Sequence, residues 1–191
     1  MHRRRFLQTA ASALAASGAL AAPRLSLAAD SKVLRFVPQA NLANLDPIWT
    51  TLYVVRNASV LFYDTLYGVD SNLMPQPQMC EGSDVSSDGL VWTFRLRAGL
   101  KFHDNEPVRS SDCIASLARW MVRDNMGQMI KARLDAMQTV DDRTFQLNLK
   151  QPFAKMLYAL GKCGTPCAFI MPERIAATDP FKQIGEYVGS G

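Results

Sequence analysis

Hydrophobic residues change their spacing several times along the chain, and each change marks an element. Over residues 91–97 they alternate, with Trp92, Phe94 and Leu96 on one side and Val91, Thr93, Arg95 and Arg97 on the other. That period predicts a half-buried antiparallel strand. Phe145, Leu147 and Leu149 repeat the alternation over residues 144–150, between the turn-like Asp141-Asp142 and Pro152, and predict a second strand. Steps of three and four take over at Val54, Ala58, Leu61, Phe62 and Thr65, predicting an amphipathic helix that follows Asp46-Pro47 and closes near Tyr67-Gly68. Another helix is expected after Ser110 and Ser111, which can cap it; its stripe is Ile114, Leu117, Ala118 and Met121, with Asp112 well placed in the first turn. A further helix runs on to about Leu134.

The shorter signals complete the outline. Residues 33–37 read as a first strand, 39–44 as a loop, and 70–89, rich in Pro, Gly, Ser and Asp, as a connecting segment. Past the Ala98-Gly99 turn, residues 100–102 continue the strand and 103–107 turn again. Residues 153–160 look helical, 161–167 form a loop, 168–171 a short strand, and Pro172 opens a last helix. Antiparallel pairs mixed with helices predict an α/β or α+β arrangement, which reads as interrupted at Gly189-Ser190-Gly191.

Charge then changes the picture. The formal charge of +4 suggests an anionic partner, yet Arg3, Arg4, Arg5 and Arg24 all fall in residues 1–28, where no acidic residue occurs. From Ala29 onward 17 basic residues face 17 acidic ones, so nucleic-acid binding loses its compositional support. The first 28 residues have the layout of an export signal: a basic start, an apolar stretch over residues 6–22, and Ser26-Leu27-Ala28 as the best small-x-small cleavage site. Arg3, Arg4, Phe6 and Leu7 fit the twin-arginine export pattern, although His2 and Gln8 depart from its commonest form and general secretion stays open. Either route predicts a soluble periplasmic protein cleaved near Ala28.

Little in the remainder points to catalysis. After the leader the only histidine is His103, too few for a His-dependent triad or a two-histidine metal site. His103, Asp104 and Glu106 sit in a turn and read as local structure, and Ser190 lacks the full nucleophile-elbow pattern. No catalytic residue, metal ligand or cofactor is assigned. Of the four cysteines, Cys80, Cys113, Cys163 and Cys167, the pair Cys163 and Cys167 suggests a local disulfide in an oxidising compartment; free thiols are the alternative. Trp120, Arg123, Asp124 and Gly127 recur at helical spacing, a polar cluster beside an indole that suits ligand contact, or else an ion pair next to a core tryptophan.

Residues 92–108, WTFRLRAGLKFHDNEPV, with Asp112 following, resemble the signature of the family 5 extracellular solute-binding proteins of ABC importers. Leu45-Asp46-Pro47, Tyr63-Asp64-Thr65-Leu66, residues 141–145, Met171-Pro172-Glu173 and residues 188–191 match in the same order. Asn105 stands where glycine is usual, at a turn that favours positive φ. The resemblance implies an α/β fold: the N-terminal lobe part of a two-lobed, type II-like periplasmic binding protein, a mixed sheet with an antiparallel subdomain. It implies domains of 1–28 (leader) and 29–191 (lobe, incomplete at its C-terminus). It further implies binding without catalysis, a dipeptide, oligopeptide, nickel complex or other small solute held between lobes, and delivery to an ABC permease and its ATPase. Such a protein is a monomer when complete and meets the membrane only through the permease. In the family the loop after the first strand, here Gln39, Ala40, Asn41 and Leu42, borders the cleft. Two rival expectations are an exported hydrolase and a secreted interaction protein without a small ligand.

Overall fold

The computed structural model describes residues 35–164 and 166–190. The leader and its export motif therefore lie outside the described residues, as does the start of the strand expected at 33–37. Residues 35–37 have no regular structure. All elements belong to the compact unit Pro38–Gly191.

At the centre is a four-stranded antiparallel sheet in the order β3-β4-β6-β5, built from β3 (Cys80–Val85), β4 (Val91–Leu96), β5 (Leu134–Thr139) and β6 (Thr144–Leu149). β4 and β6 are the two alternating segments, and they pair in the middle with Phe94 opposite Phe145 and Trp92 opposite Leu147. Their apolar positions share one face, on which Phe94 stacks on Phe145 at 5.2 Å between centroids and on Trp92 at 6.2 Å. The other face is a polar ladder, Gln138 Nε2 donating to Gln146 and Gln146 Nε2 to Thr93.

β3 and β5 overturn two expectations. The segment expected to be a plain connection contains both β2 (Pro75–Pro77) and β3, and the helix expected to reach Leu134 ends before β5 begins. Neither edge strand alternates cleanly, and each carries a register shift, at Cys80/Gly82 and at Leu134/Ala136. Their strand character is imposed by pairing with β4 and β6. β2 pairs only with β1 (Tyr67–Val69), an edge setting in which proline is tolerated.

Helix α1 is shorter than its pattern, Tyr53–Ser59. The chain leaves it through a turn in which Val60 and Leu61 are exposed, so the apolar steps at Leu61, Phe62 and Thr65 do not continue one face. α2 (Ser110–Arg123) packs on β5 and β6. Its buried stripe keeps Leu117 and Met121, adds Cys113 and Trp120, and leaves Ala118 exposed. Its cap is Arg109, whose backbone N–H donates to Asp112 Oδ2 at 2.7 Å. Ser110, one of the two serines expected to cap, instead donates from its hydroxyl to Asp141 O.

A second row on α2 is polar, and it anchors the last part of the chain. Asp112 Oδ1 accepts the Glu173 N–H at 2.7 Å, Ser116 Oγ bonds both the carbonyl and the N–H of Met171, and Trp120 Nε1 donates to Pro166 O at 3.0 Å. Of the expected 168–171 strand only Phe169 forms a bridge, with Thr65, while the Ile170 N–H donates to Asp64 O and the Met171 N–H is taken by Ser116 of α2. α3 (Asn125–Lys131), α4 (Met156–Gly161) and the one-turn α5 (Glu173–Ala176) complete the unit. Asn105 does adopt positive φ, at 70°. Residues 100–102 contribute a single bridge, Lys101 with Pro107, in place of a strand.

Candidate functional site

The loop ahead of α1 is irregular, so something other than a backbone ladder must hold it. Asp46 does so. Its Oδ1 accepts the N–H groups of Ile48 and Trp49, each at 3.1 Å, and Pro47 fixes φ just ahead of them. Arg119 of α2 forks onto the same carboxylate at 3.0 and 2.9 Å, and Asp46 Oδ2 also accepts the Ile184 N–H at 3.0 Å. Both side chains are almost wholly buried, at 2% and 0% exposure. Burial alone would push the Asp46 carboxyl upward, but Arg119 and the Ile184 and Trp49 amides outweigh it and hold it below the ordinary aspartate range.

Arg119 spends its other donors on Thr178 O at 3.1 Å and Lys182 O at 3.0 Å. One ion pair thus ties three stretches of chain together: the loop at 46–49, helix α2, and residues 178–184. One turn further along α2, Arg123 Nη2 donates to Trp49 O at 3.1 Å, and the guanidinium lies 4.9 Å from the Phe181 ring centre. Trp49 and Phe181 stay exposed around it, at 38% and 65%.

The residues expected to contact ligand divide. Gln39, Ala40, Asn41 and Leu42 form an exposed stretch that bends at 39–40. Trp120, Asp124 and Gly127 come together in the interior, away from solvent. Trp120 is fully buried, and a Cβ at Gly127 would stand 2.8 Å from Met121 Cα and 3.2 Å from the indole. The helical spacing assumed for this group does not hold. Asp124 leaves helical geometry, at φ −100° and ψ 137°, because its side chain caps α3 by accepting the Gly127 N–H at 2.9 Å. Lys162 pairs with the same buried carboxylate. Only Arg123 of the four reaches the surface beside the loop.

The remaining chemistry-bearing groups are structural. All four cysteines are free, so the expected Cys163–Cys167 bridge is not formed; Cys163 is exposed and Cys167 is turned back to the Gly164 carbonyl. Burial pushes the Cys167 thiol up to about 11 and that of Cys80 to about 12. Cys163 and Cys167 line a cavity of about 200 Å³ with Tyr63, Lys162 and Phe169, which does not reach residues 39–42. Asp104 pairs with Arg174, and the His103 N–H donates to Gly189 O. Ser190 accepts the Asp64 N–H and donates to Ile170 O. Among the described residues, no group of three or more His, Cys, Asp or Glu could hold a metal ion, and no helix is long and apolar enough to cross a membrane.

Asp46, Trp49, Arg119 and Phe181 are the site residues that sequence reasoning missed. One signal pointed to them, the Asp-Pro pair ahead of a helix.

Comparison with known proteins places this arrangement. Residues 74–191 match the model of the bacterial extracellular solute-binding proteins, family 5 Middle. The probable peptide ABC transporter periplasmic-binding protein y4tO of Sinorhizobium fredii is 38% identical over 183 residues, covering 93% of this chain and 34% of that protein. The glutathione-binding protein GsiB of Escherichia coli K12 is 32% identical over 188 residues, covering 94% and 35%. Among solved structures, the binding protein AgaA of A. tumefaciens R10 in complex with agropinic acid superposes with a TM-score of 0.63 at 26% identity, covering 78% of this chain and 30% of that one. The chain spans about a third of the length of these relatives.

Proposed function

The chain belongs to the family 5 bacterial extracellular solute-binding proteins, and from that premise we propose that it captures a peptide-like or other small polar solute and delivers it to the permease and ATPase of an ABC importer. The observation that carries the reading is 38% identity to a probable peptide ABC transporter periplasmic-binding protein over 93% of this chain. Relatives whose names record glutathione and agropinic acid support a small polar solute as the cargo.

In this reading residues 39–42 and the surface around Arg123 supply one wall of the solute site. The protein binds without turnover and without a cofactor, works as a monomer, and meets the membrane only through the permease. It reaches the periplasm through the leader of residues 1–28, cut near Ala28, with Arg3 and Arg4 directing the route.

Calorimetry tests the reading on the protein expressed from its intact gene, with di- and tripeptides and glutathione as probes. Saturable one-to-one binding, with a thermal shift that grows with ligand concentration, is expected. Absence of binding across the panel would favour a secreted protein that recognises other macromolecules. For export, replacing Arg3 and Arg4 by lysine should leave the uncut precursor in the cytoplasm, whereas unchanged processing would assign the protein to general secretion.

A further inference from the structure

Beyond the leader the chain carries as many acidic as basic residues, 17 of each, so a local surplus of one sign stands out. One cavity has such a surplus. It measures about 370 Å³ and is lined by Arg97 just past β4, Lys101 from the turn that follows, Arg109 at the start of α2 and Arg143 from the turn between β5 and β6. Asp142 is the one carboxylate of the lining. Cations that lack an acidic partner elsewhere, such as Arg56, Arg123 and Arg133, take no part in it.

Little within the fold neutralises this group. Among the described residues Arg97, Lys101 and Arg109 form no ion pair. Arg97 donates to the carbonyls of Cys80 and Pro77, each at 3.2 Å, which orients its guanidinium and leaves its charge uncompensated. Arg143 pairs with Glu81 at 3.6 Å, but both side chains are about half exposed and such a pair is worth little. The backbone sets the spacing of the segments that carry these cations. The Arg97 N–H donates to Met79 O at 2.9 Å, the Leu96 N–H to Arg143 O at 2.8 Å, the Val108 N–H to Leu100 O at 3.1 Å and the Ser110 N–H to Asp142 O at 2.8 Å. Their arrangement is therefore settled before any ligand arrives, which lowers the entropy cost of binding. Half-buried Leu100 and buried Val108 add apolar surface to the lining, and low-dielectric walls around charges of one sign concentrate their field.

We propose that this cavity holds a phosphate group, as a second site that shares no residue with 39–42 or Arg123. The cations reach it from separate stretches of chain. A phosphate carries up to two charges and presents acceptor oxygens around a tetrahedron, so it meets donors arriving from several directions, whereas a carboxylate offers two acceptors in one plane. The group can belong to a free phosphate ester or to the headgroup of an anionic phospholipid, and the chemistry in the cavity is the same. Neither solute nor permease enters this inference, so it stands apart from the receptor reading.

The test uses the protein from its intact gene at low ionic strength, where exposed charges are least screened. Inorganic phosphate, glycerol phosphate and acetate are titrated by calorimetry, and vesicles of phosphatidylcholine, alone or mixed with phosphatidylglycerol, are tested by co-sedimentation. Two double variants are compared. Lys101→Gln with Arg109→Gln removes two cations from the cavity, and Lys131→Gln with Lys155→Gln removes two from elsewhere; all four side chains are exposed, so thermal unfolding, recorded for each, should not change. One-to-one binding of the soluble phosphates assigns the site to a free ester, and retention on the phosphatidylglycerol vesicles without it assigns the site to a lipid headgroup. In either case the cavity variant should bind about 5-fold more weakly per cation removed, and the other variant should match wild type. Equal weakening in both variants would show attraction to overall charge, acetate binding as tightly as phosphate would remove the phosphate preference, and failure of every probe would show no site. Each of these overturns the inference and leaves the receptor reading intact.

Discussion

The sheet face carrying Trp92, Phe94, Phe145 and Leu147 and the loop carrying Asp46 and Trp49 both rest on α2, yet opposite kinds of interaction hold them. The sheet is fixed by stacked rings and a continuous ladder of paired strands, and its outer face is a solvated ladder of Gln and Thr. The loop has no ladder at all. A single buried charge pair joins it to residues 70 positions and more away in the chain. Apolar packing is diffuse and degrades gradually, whereas a buried ion pair loses nearly all its value when one member is removed, because the other charge stays behind without a partner.

The widest gap between the two regions should appear on removing the charges. Asp46→Ala leaves Arg119 buried and unpaired and should cost about 3–5 kcal/mol in chemical unfolding. Phe94→Ala should cost about as much, through cavity formation. Hydrogen exchange separates them: Asp46→Ala should loosen residues 46–49 and 178–184 first, and Phe94→Ala the strands. Equal loosening everywhere in both variants would mean that the two regions unfold as one unit. Replacing the pair together, by Asp46→Leu with Arg119→Met, should recover most of the lost stability.

Gly127→Ala probes the junction between the regions. The new Cβ meets Met121 backbone at 2.8 Å and the Trp120 ring at 3.2 Å, so overpacking should cost about 1–3 kcal/mol. A neutral result would show that α3 can shift away from α2.

Acid should discriminate between the regions as well. The folded Asp46 carboxyl titrates below the ordinary value of 3.8, so on acidification the unfolded chain takes up the proton first. The pair's contribution is complete above that ordinary value and is lost as the pH falls through the lower folded one. Unfolding free energy should therefore drop more steeply below about pH 4 in wild type than in the Asp46→Leu, Arg119→Met protein, and parallel curves would remove Asp46 from the account. The smallest effect belongs to the sheet's outer face. Arg95 and Asp84 pair at 2.7 Å but are exposed by 47% and 68%, and Arg95→Ala should leave the unfolding temperature unchanged.

The same contrast explains what could be read in the sequence. β4, β6 and α2 announce themselves because their burial is periodic, and the turn at Asn105 because its backbone demands a particular residue. β3 and β5 are silent, since edge strands take their shape from partners. The match over residues 92–108 identified the family, but that stretch supplies architecture and no part of the exposed rim. Asp46 lay in plain view beside Pro47, yet its role depends on Arg119, and periodicity carries no information about pairs so far apart. Trp120, Asp124 and Gly127 looked like a surface cluster only while the helix was assumed to continue past Arg123.

The three tryptophans occupy three different environments: Trp120 is fully enclosed and bonded to a carbonyl, Trp92 is 9% exposed, and Trp49 is 38% exposed beside Arg123. This chain therefore contains its own optical probe. Acrylamide should quench Trp49 far more than the other two, and a solute settling against the rim should shield it and shift its emission to the blue, so that occupancy can be followed in unlabelled protein.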